Sequence, residues 1–142
     1  MSDITEHSIA QLSQAYRDKS LSPVAAAEAY LQRIAAHNDK VNAFVTLRAD
    51  DALAEARQAE TEIAKGAWRG PLHGIPIGHK DLYQTAGIRS TAGSKVLENH
   101  VPTEDATAVA RLKQAGAVLL GKLNTHEFAY GPTNDSSLFG PC

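Results

Sequence analysis

The chain has 142 residues, the size of one domain, and its 43 % hydrophobic and 21 % charged residues exclude a collagen-like, low-complexity or wholly disordered protein. Fourteen Lys and Arg against sixteen Asp and Glu leave a net charge of −2, so no positive field draws nucleic acid or an anionic membrane. Cys142 is the single cysteine, which excludes an intramolecular disulfide or a thiolate zinc cluster and fits a reducing compartment.

The acidic start, Met1 to Glu6, has neither the basic nor the apolar stretch of a secretory leader. No apolar run approaches the roughly 18 residues of a spanning helix. A soluble, cytoplasmic protein is the expectation. Ile9, Leu12 and Tyr16 sketch a short helix that ends near Lys19 and Ser20. Ser22-Pro23 then starts a longer one, because serine caps free amides and proline in the first turn sacrifices a donor that has no partner. Val24, Ala27, Tyr30, Leu31 and Ile34 form its apolar stripe, and Asn38-Asp39 is the expected stop. Residues 42–47 suit a short extended stretch. From Ala49 to Lys65 the chain is rich in Ala, Glu and Gln, which predicts a helix closed by Gly66. Its stripe is mostly alanine, so shallow packing or a surface position is expected.

Gly70-Pro71-Leu72-His73-Gly74 changes the character of the chain. Residues 75–81 read as a strand that runs into polar residues, followed by a Gly/Ser/Thr-rich loop from Thr85 to Ser94. Thr103-Glu104-Asp105 predicts a helix cap with acids in the first turn, Val109 and Leu112 face inward, and Gly116 closes the helix. Residues 118–121 form a second apolar strand. Strand, helix and strand at this spacing make a βαβ unit and imply parallel pairing. The fold class is α/β: a helical layer over residues 1–66 precedes the start of an α/β core over 67–142.

Ligands of open parallel sheets bind beyond the carboxyl ends of the strands. The first strand delivers His79, Lys80 and Asp81 there; the second delivers Lys122, Asn124, His126 and Glu127. Alternation sends His79 and Lys80 to opposite faces. Partial burial of Lys80 would disfavour its ammonium form and free a neutral amine to act as a base, with Asp81 opposing. A lysine paired with a carboxylate, or reaching solvent, is the alternative that spacing leaves open. The six histidines are scattered and include no HExxH pair, so no metal site is expected. His79 reads as a satisfied sheet histidine and His126 as a hydrogen-bonding loop residue. The glycines from Gly87 to Gly93 match neither phosphate-loop pattern and read as a tight loop. Ser136 and Ser137 lie beside Pro132, Asn134 and Asp135 and read as turn residues, without the GxSxG form of a nucleophile.

The run Gly70-Pro71-Leu72-His73-Gly74-Ile75-Pro76-Ile77-Gly78-His79-Lys80-Asp81 resembles the amidase signature family. So do Ala86 to Ser94, Pro102 to Thr107, Gly116 to Lys122, Asn124 to Gly131 and Asn134 to Pro141, in that order, so that the resemblance runs from about Ser22 onward. It implies a mixed sheet covered by helices and an amide hydrolase that uses a Ser–cis-Ser–Lys triad without a cofactor. The family's lysine falls on Lys80, which takes a proton relayed through the second serine. The substrate-lining loop falls around Tyr130 and Gly131. His79 departs from the aliphatic or small residue usual before the lysine. The family's Gly/Ser-rich run, which this resemblance makes the source of both serines and the oxyanion hole, lies downstream of a Phe-Gly-Pro segment like the one at 139–141. The expectation is therefore the N-terminal portion of a single amidase domain, inactive by itself and marginally folded, because a sheet cut after two strands leaves an open edge. The implied partner is a small-molecule amide. A homodimer, or the other subunits of a glutamyl/aspartyl-tRNA amidotransferase if the chain is that enzyme's amidase component, is the alternative set of partners. A non-catalytic remnant that only folds or binds is the reading from outside the enzymes.

Overall fold

Helices fill the first half of the chain in the computed structural model, which describes residues 3–142. Helix α1 (Ile9–Arg17) opens with a reciprocal cap: the Ser8 hydroxyl accepts from the Gln11 amide while the Gln11 side chain accepts from the Ser8 amide. Helix α2 (Pro23–Val41) is capped as expected, its Ala25 amide donating to the Ser22 hydroxyl at 3.0 Å. It runs past the expected stop. The Asn38 side chain, instead of ending the helix, bonds both backbone groups of Phe44, at 2.7 and 2.9 Å, and the chain turns only at Asn42, in the left-handed region at φ +47°.

Helix α3 (Ala49–Ala64) corrects a second expectation. Its alanines Ala52, Ala56 and Ala59 are buried, because methyl side chains let a helix backbone approach its neighbour closely; α3 packs on α1. Ile75 joins Leu12, Tyr16 and Ala26 in a core cluster that Trp68 and Ile77 flank.

Strands β1 (Phe44–Leu47), β2 (Pro76–Lys80) and β3 (Val118–Leu123) form one sheet in the order β1-β3-β2. The Val118 amide donates to the Ile75 carbonyl and the Asp81 amide to the Leu123 carbonyl, so β2 and β3 advance in the same direction with helix α4 (Thr107–Gln114) between them. This is the predicted βαβ unit. β1 adds an antiparallel neighbour on the other side of β3, in register Phe44↔Leu123, Thr46↔Lys122 and Leu47↔Gly121 with a bulge between Phe44 and Thr46. The sheet is therefore mixed and three-stranded: β1 falls within the extended stretch read over 42–47, which the βαβ spacing by itself does not place in the sheet. β3 is central and extends to Leu123, two residues beyond its predicted end, which places Lys122 inside the strand. Helix α4 also starts later than expected. The carboxylate of Asp105 accepts the Ala86 amide at 2.7 Å, so this acid serves a loop, and the first helical residue is Thr107.

By contact density the chain divides into two units, each assembled from separate stretches. The first runs up to Ile34 and takes in Arg48–Ile77 and Leu112–Leu120; the second comprises Ala35–Leu47, Gly78–Arg111 and Gly121–Cys142.

Candidate active site

The second unit contains the end of β2 and every residue the sequence marks as a site candidate. Alternation holds there: His79 is buried at 6 % exposure and Lys80 is exposed. The expected burial of Lys80 is not found. Asp81 follows at 1 % exposure, its carboxylate accepting the amide and hydroxyl of Thr91 at 3.0 and 2.5 Å. The buried lysine is Lys122, with no exposure at all. Its ammonium donates to the Tyr83 carbonyl and the Ser90 hydroxyl, both at 2.6 Å, and to the Thr85 hydroxyl at 3.3 Å, and it stands 3.6 Å from the Asp81 carboxylate. Burial pulls the Lys122 ammonium below the ordinary lysine range, and the charge of Asp81 works against that. Lys122 thus undergoes the desolvation expected of Lys80. Its signal in the sequence is a lysine directly after an apolar run, which a predicted strand end at Gly121 hides.

The loop from Thr85 to Ser94 turns its polar side chains inward. Thr85, Ser90, Thr91 and Ser94 are all buried, and the Thr91 hydroxyl also accepts the Gly93 amide at 3.1 Å. Gly93 lies at φ +68°, where a Cβ would stand 2.5 Å from the Thr125 carbonyl, which gives a concrete reason for glycine in this tight loop.

Tyr130 and Gly131 follow a short 3₁₀ turn, Glu127–Ala129. Tyr130 is 91 % exposed. A Cβ at Gly131 would stand 2.5 Å from the His126 ring, so the missing side chain leaves room for that imidazole. Phe128 and Ala129, before them, have left-handed backbones at φ +51° and +56°, conformations unusual for residues with side chains and recurrent at functional sites. The Phe128 amide donates to the carbonyl of Ala92, itself left-handed at φ +54°, at 2.7 Å. The His126 ring faces Asp135 at 3.5 Å.

The serines of this region serve the scaffold. Ser94 donates to Glu127 at 2.6 Å and Ser137 donates to the Asn124 side chain at 2.7 Å. In the first unit His73 is buried at 1 % exposure, with its Nδ1 accepting the Arg69 amide at 3.2 Å and its Nε2 3.1 Å from Glu62. Among the described residues no group of three or more His, Cys, Asp or Glu side chains could hold a metal ion, and no helix is long and apolar enough to cross a membrane.

The pattern of the Amidase family matches residues 25–142. The chain belongs to the amidase family. Among curated amidase relatives, a Glutamyl-tRNA(Gln) amidotransferase subunit of Geobacter sp. (strain M21) is 49 % identical over 140 residues, a match covering 99 % of this chain and 28 % of that one. The protein of the same name from Burkholderia vietnamiensis (strain G4 / LMG 22486) is 53 % identical over 133 residues, covering 94 % of this chain and 26 % of its own. The crystal structure of the native peptide amidase from Stenotrophomonas maltophilia superposes with a TM-score of 0.85 at 40 % identity, covering 96 % of this chain and 29 % of that one. The chain thus spans between a quarter and a third of the amidase relatives it matches. The mixed sheet and its helices are an amidase-signature fold.

Proposed function

We propose that these residues form the N-terminal part of a single amidase domain that hydrolyses a carboxylic amide, with Lys80 as the proton acceptor. The observation that carries this reading is the place of Lys80: the last residue of β2, exposed at the carboxyl end of a parallel strand pair, inside the Gly70–Asp81 run. The Lys80 amine takes the proton of a serine hydroxyl through a second serine. The freed oxygen attacks the amide carbon, the C–N bond breaks as the departing nitrogen is protonated, and water later releases the acid. The two serines and the oxyanion donors come from a Gly/Ser-rich run that these residues do not contain. Tyr130 and Gly131 line the path of the amide, and the site of action is the cytoplasm.

The curated relatives favour a second reading inside the same chemistry. Both are amidotransferase subunits by name, which would make glutamine the amide, ammonia the product, and further subunits the partners. A glutaminase assay of the whole protein, with and without such subunits, separates the two: activity that rises with the partners supports the amidotransferase, and turnover of simple amides without them supports the free amidase. Lys80→Ala lowers either activity by about 10²–10⁴-fold. The 142-residue chain alone shows no amide hydrolysis; hydrolysis that depends on Lys80 in that chain would overturn the division of roles.

A further inference from the structure

Amide hydrolysis gives His126 no task, yet its ring occupies a place that shapes the turn after β3. The His126 carbonyl accepts the Ala129 amide at 2.7 Å, and the Glu127 carbonyl accepts the Tyr130 amide at 3.0 Å. With Phe128 and Ala129 both left-handed, the chain curls back until Gly131 lies against the imidazole. A Cβ at Gly131 would stand 2.5, 2.6 and 2.7 Å from Cε1, Nδ1 and Nε2 of that ring, the three nearest atoms outside its chain neighbours. The Gly131 backbone does not lie in the left-handed region that favours glycine. The demand for glycine there comes from the ring.

The other half of the curl is pinned to the end of β2. The Phe128 amide donates to the Ala92 carbonyl at 2.7 Å, and the Ala92 amide donates to the carbonyl of Asp81, the residue after Lys80, at 2.9 Å. The Glu127 carboxylate accepts the Ser94 hydroxyl at 2.6 Å. The start of the turn is thus fixed by hydrogen bonds, and its far side rests on the imidazole.

Resting on the reading that Tyr130 and Gly131 line the path of the amide, we propose that His126 is the positioning residue of that wall. Its imidazole, packed on Gly131 and facing the Asp135 carboxylate at 3.5 Å, sets how far the Tyr130–Gly131 segment stands out from the turn. His126 acts through Gly131 and touches no substrate.

Steady-state kinetics of the whole protein on glutamine and on acetamide test this, with thermal unfolding as the control on the fold. Gly131→Ala drives a methyl group into the ring and displaces the wall, which raises KM by about tenfold and leaves kcat within about twofold. In a His126→Ala background the same methyl has room, and Gly131→Ala then changes KM by less than about twofold. A merely structural role lowers the folded fraction, and with it the apparent kcat, without moving KM. A rise in KM that is as large without the ring as with it overturns the proposal. If Gly131→Ala does not fold, the double variant Gly131→Ala/His126→Ala decides: a folded enzyme with the KM of His126→Ala supports the proposal, and a chain that stays unfolded overturns it. The wall reading fails in a different way. A folded Gly131→Ala enzyme with native KM, whose melting temperature falls and recovers in the double variant, removes Tyr130 and Gly131 from the path of the amide and the proposal with them.

Discussion

The two units of this chain are built on different interiors. Among the described residues, the first buries Leu12, Tyr16, Ile75, Val118, Leu119, Leu120 and a set of alanines, with Ser13 and His73 as its buried polar side chains. The second reverses the proportion: Ala92 and Val109 are its buried hydrophobic residues, against His79, Asp81, Thr85, Ser90, Thr91, Ser94, Lys122, Asn124 and Thr125. An apolar interior loses stability in proportion to the area removed and tolerates shape change gradually. A polar interior is secure only while each donor keeps its acceptor, and one lost partner strands the others in a low-dielectric surrounding. The region proposed to hold the base is the one whose geometry depends on completed hydrogen bonds, as fixed placement of a reacting group requires.

Thermal and denaturant unfolding of variants tests that contrast. The largest effect is expected in the second unit, where Lys122→Met leaves Asp81 buried and unbalanced at a cost of about 3–5 kcal/mol, and the additional change Asp81→Asn recovers part of it. A double variant no better than the single one would show that the two charges are not coupled. In the first unit, Leu12→Ala removes a 2 % exposed side chain from the core cluster and costs about 3 kcal/mol, with no partner substitution able to restore it. Tyr16→Phe goes the other way. The Tyr16 hydroxyl is buried without a hydrogen-bond partner among the described residues, so its removal stabilises the chain by about 1 kcal/mol; a loss instead would mean that the hydroxyl has a bonded role.

The smallest effect concerns pH. Burial holds His73 below the ordinary histidine range, against the pull of Glu62. The unfolded chain therefore takes up a proton first, and stability is full above about pH 6.5 and falls as the pH drops from there towards the depressed folded value. Glu62 is held low by the Gln58 and Arg69 side chains, so its contribution is lost only at more acidic pH, below about 4.5. A melting temperature that is flat between pH 7 and 5, or that falls equally in a His73→Asn chain, would remove His73 from this account.

The same contrast explains what could be read in advance. Helices α1, α2 and α3 and the βαβ unit are visible in the sequence because they rest on apolar periodicity and on local caps such as Ser22, which hydropathy patterns report. The Asn38 stop and the helix start at Thr103-Glu104-Asp105 fail for one reason, and the burial of Lys122 in place of Lys80 is hidden in the same way. In each case a polar side chain is engaged outside its own helix or strand: Asn38 by Phe44 beyond the end of α2, Asp105 by Ala86, and Lys122 by Ser90 and Tyr83. Periodicity along a single element carries no information on such partners. The family motif singles out Lys80 where strand-end position alone leaves two lysines to choose between, and the place of Tyr130 and Gly131 likewise rests on the motif.

Gly121 carries a wider consequence. It lies on the central strand opposite Leu47, and a Cβ there would collide with the carbonyl of Thr46. The collision is with backbone rather than with a side chain that can swing aside, so even alanine would push β1 off β3. Saturation mutagenesis of this chain should therefore score Gly121 as harshly as any reacting group, although it offers no chemistry. Mutational intolerance would then trace the seam between two strands as faithfully as it traces a catalytic centre, and a survey guided by intolerance alone would nominate both.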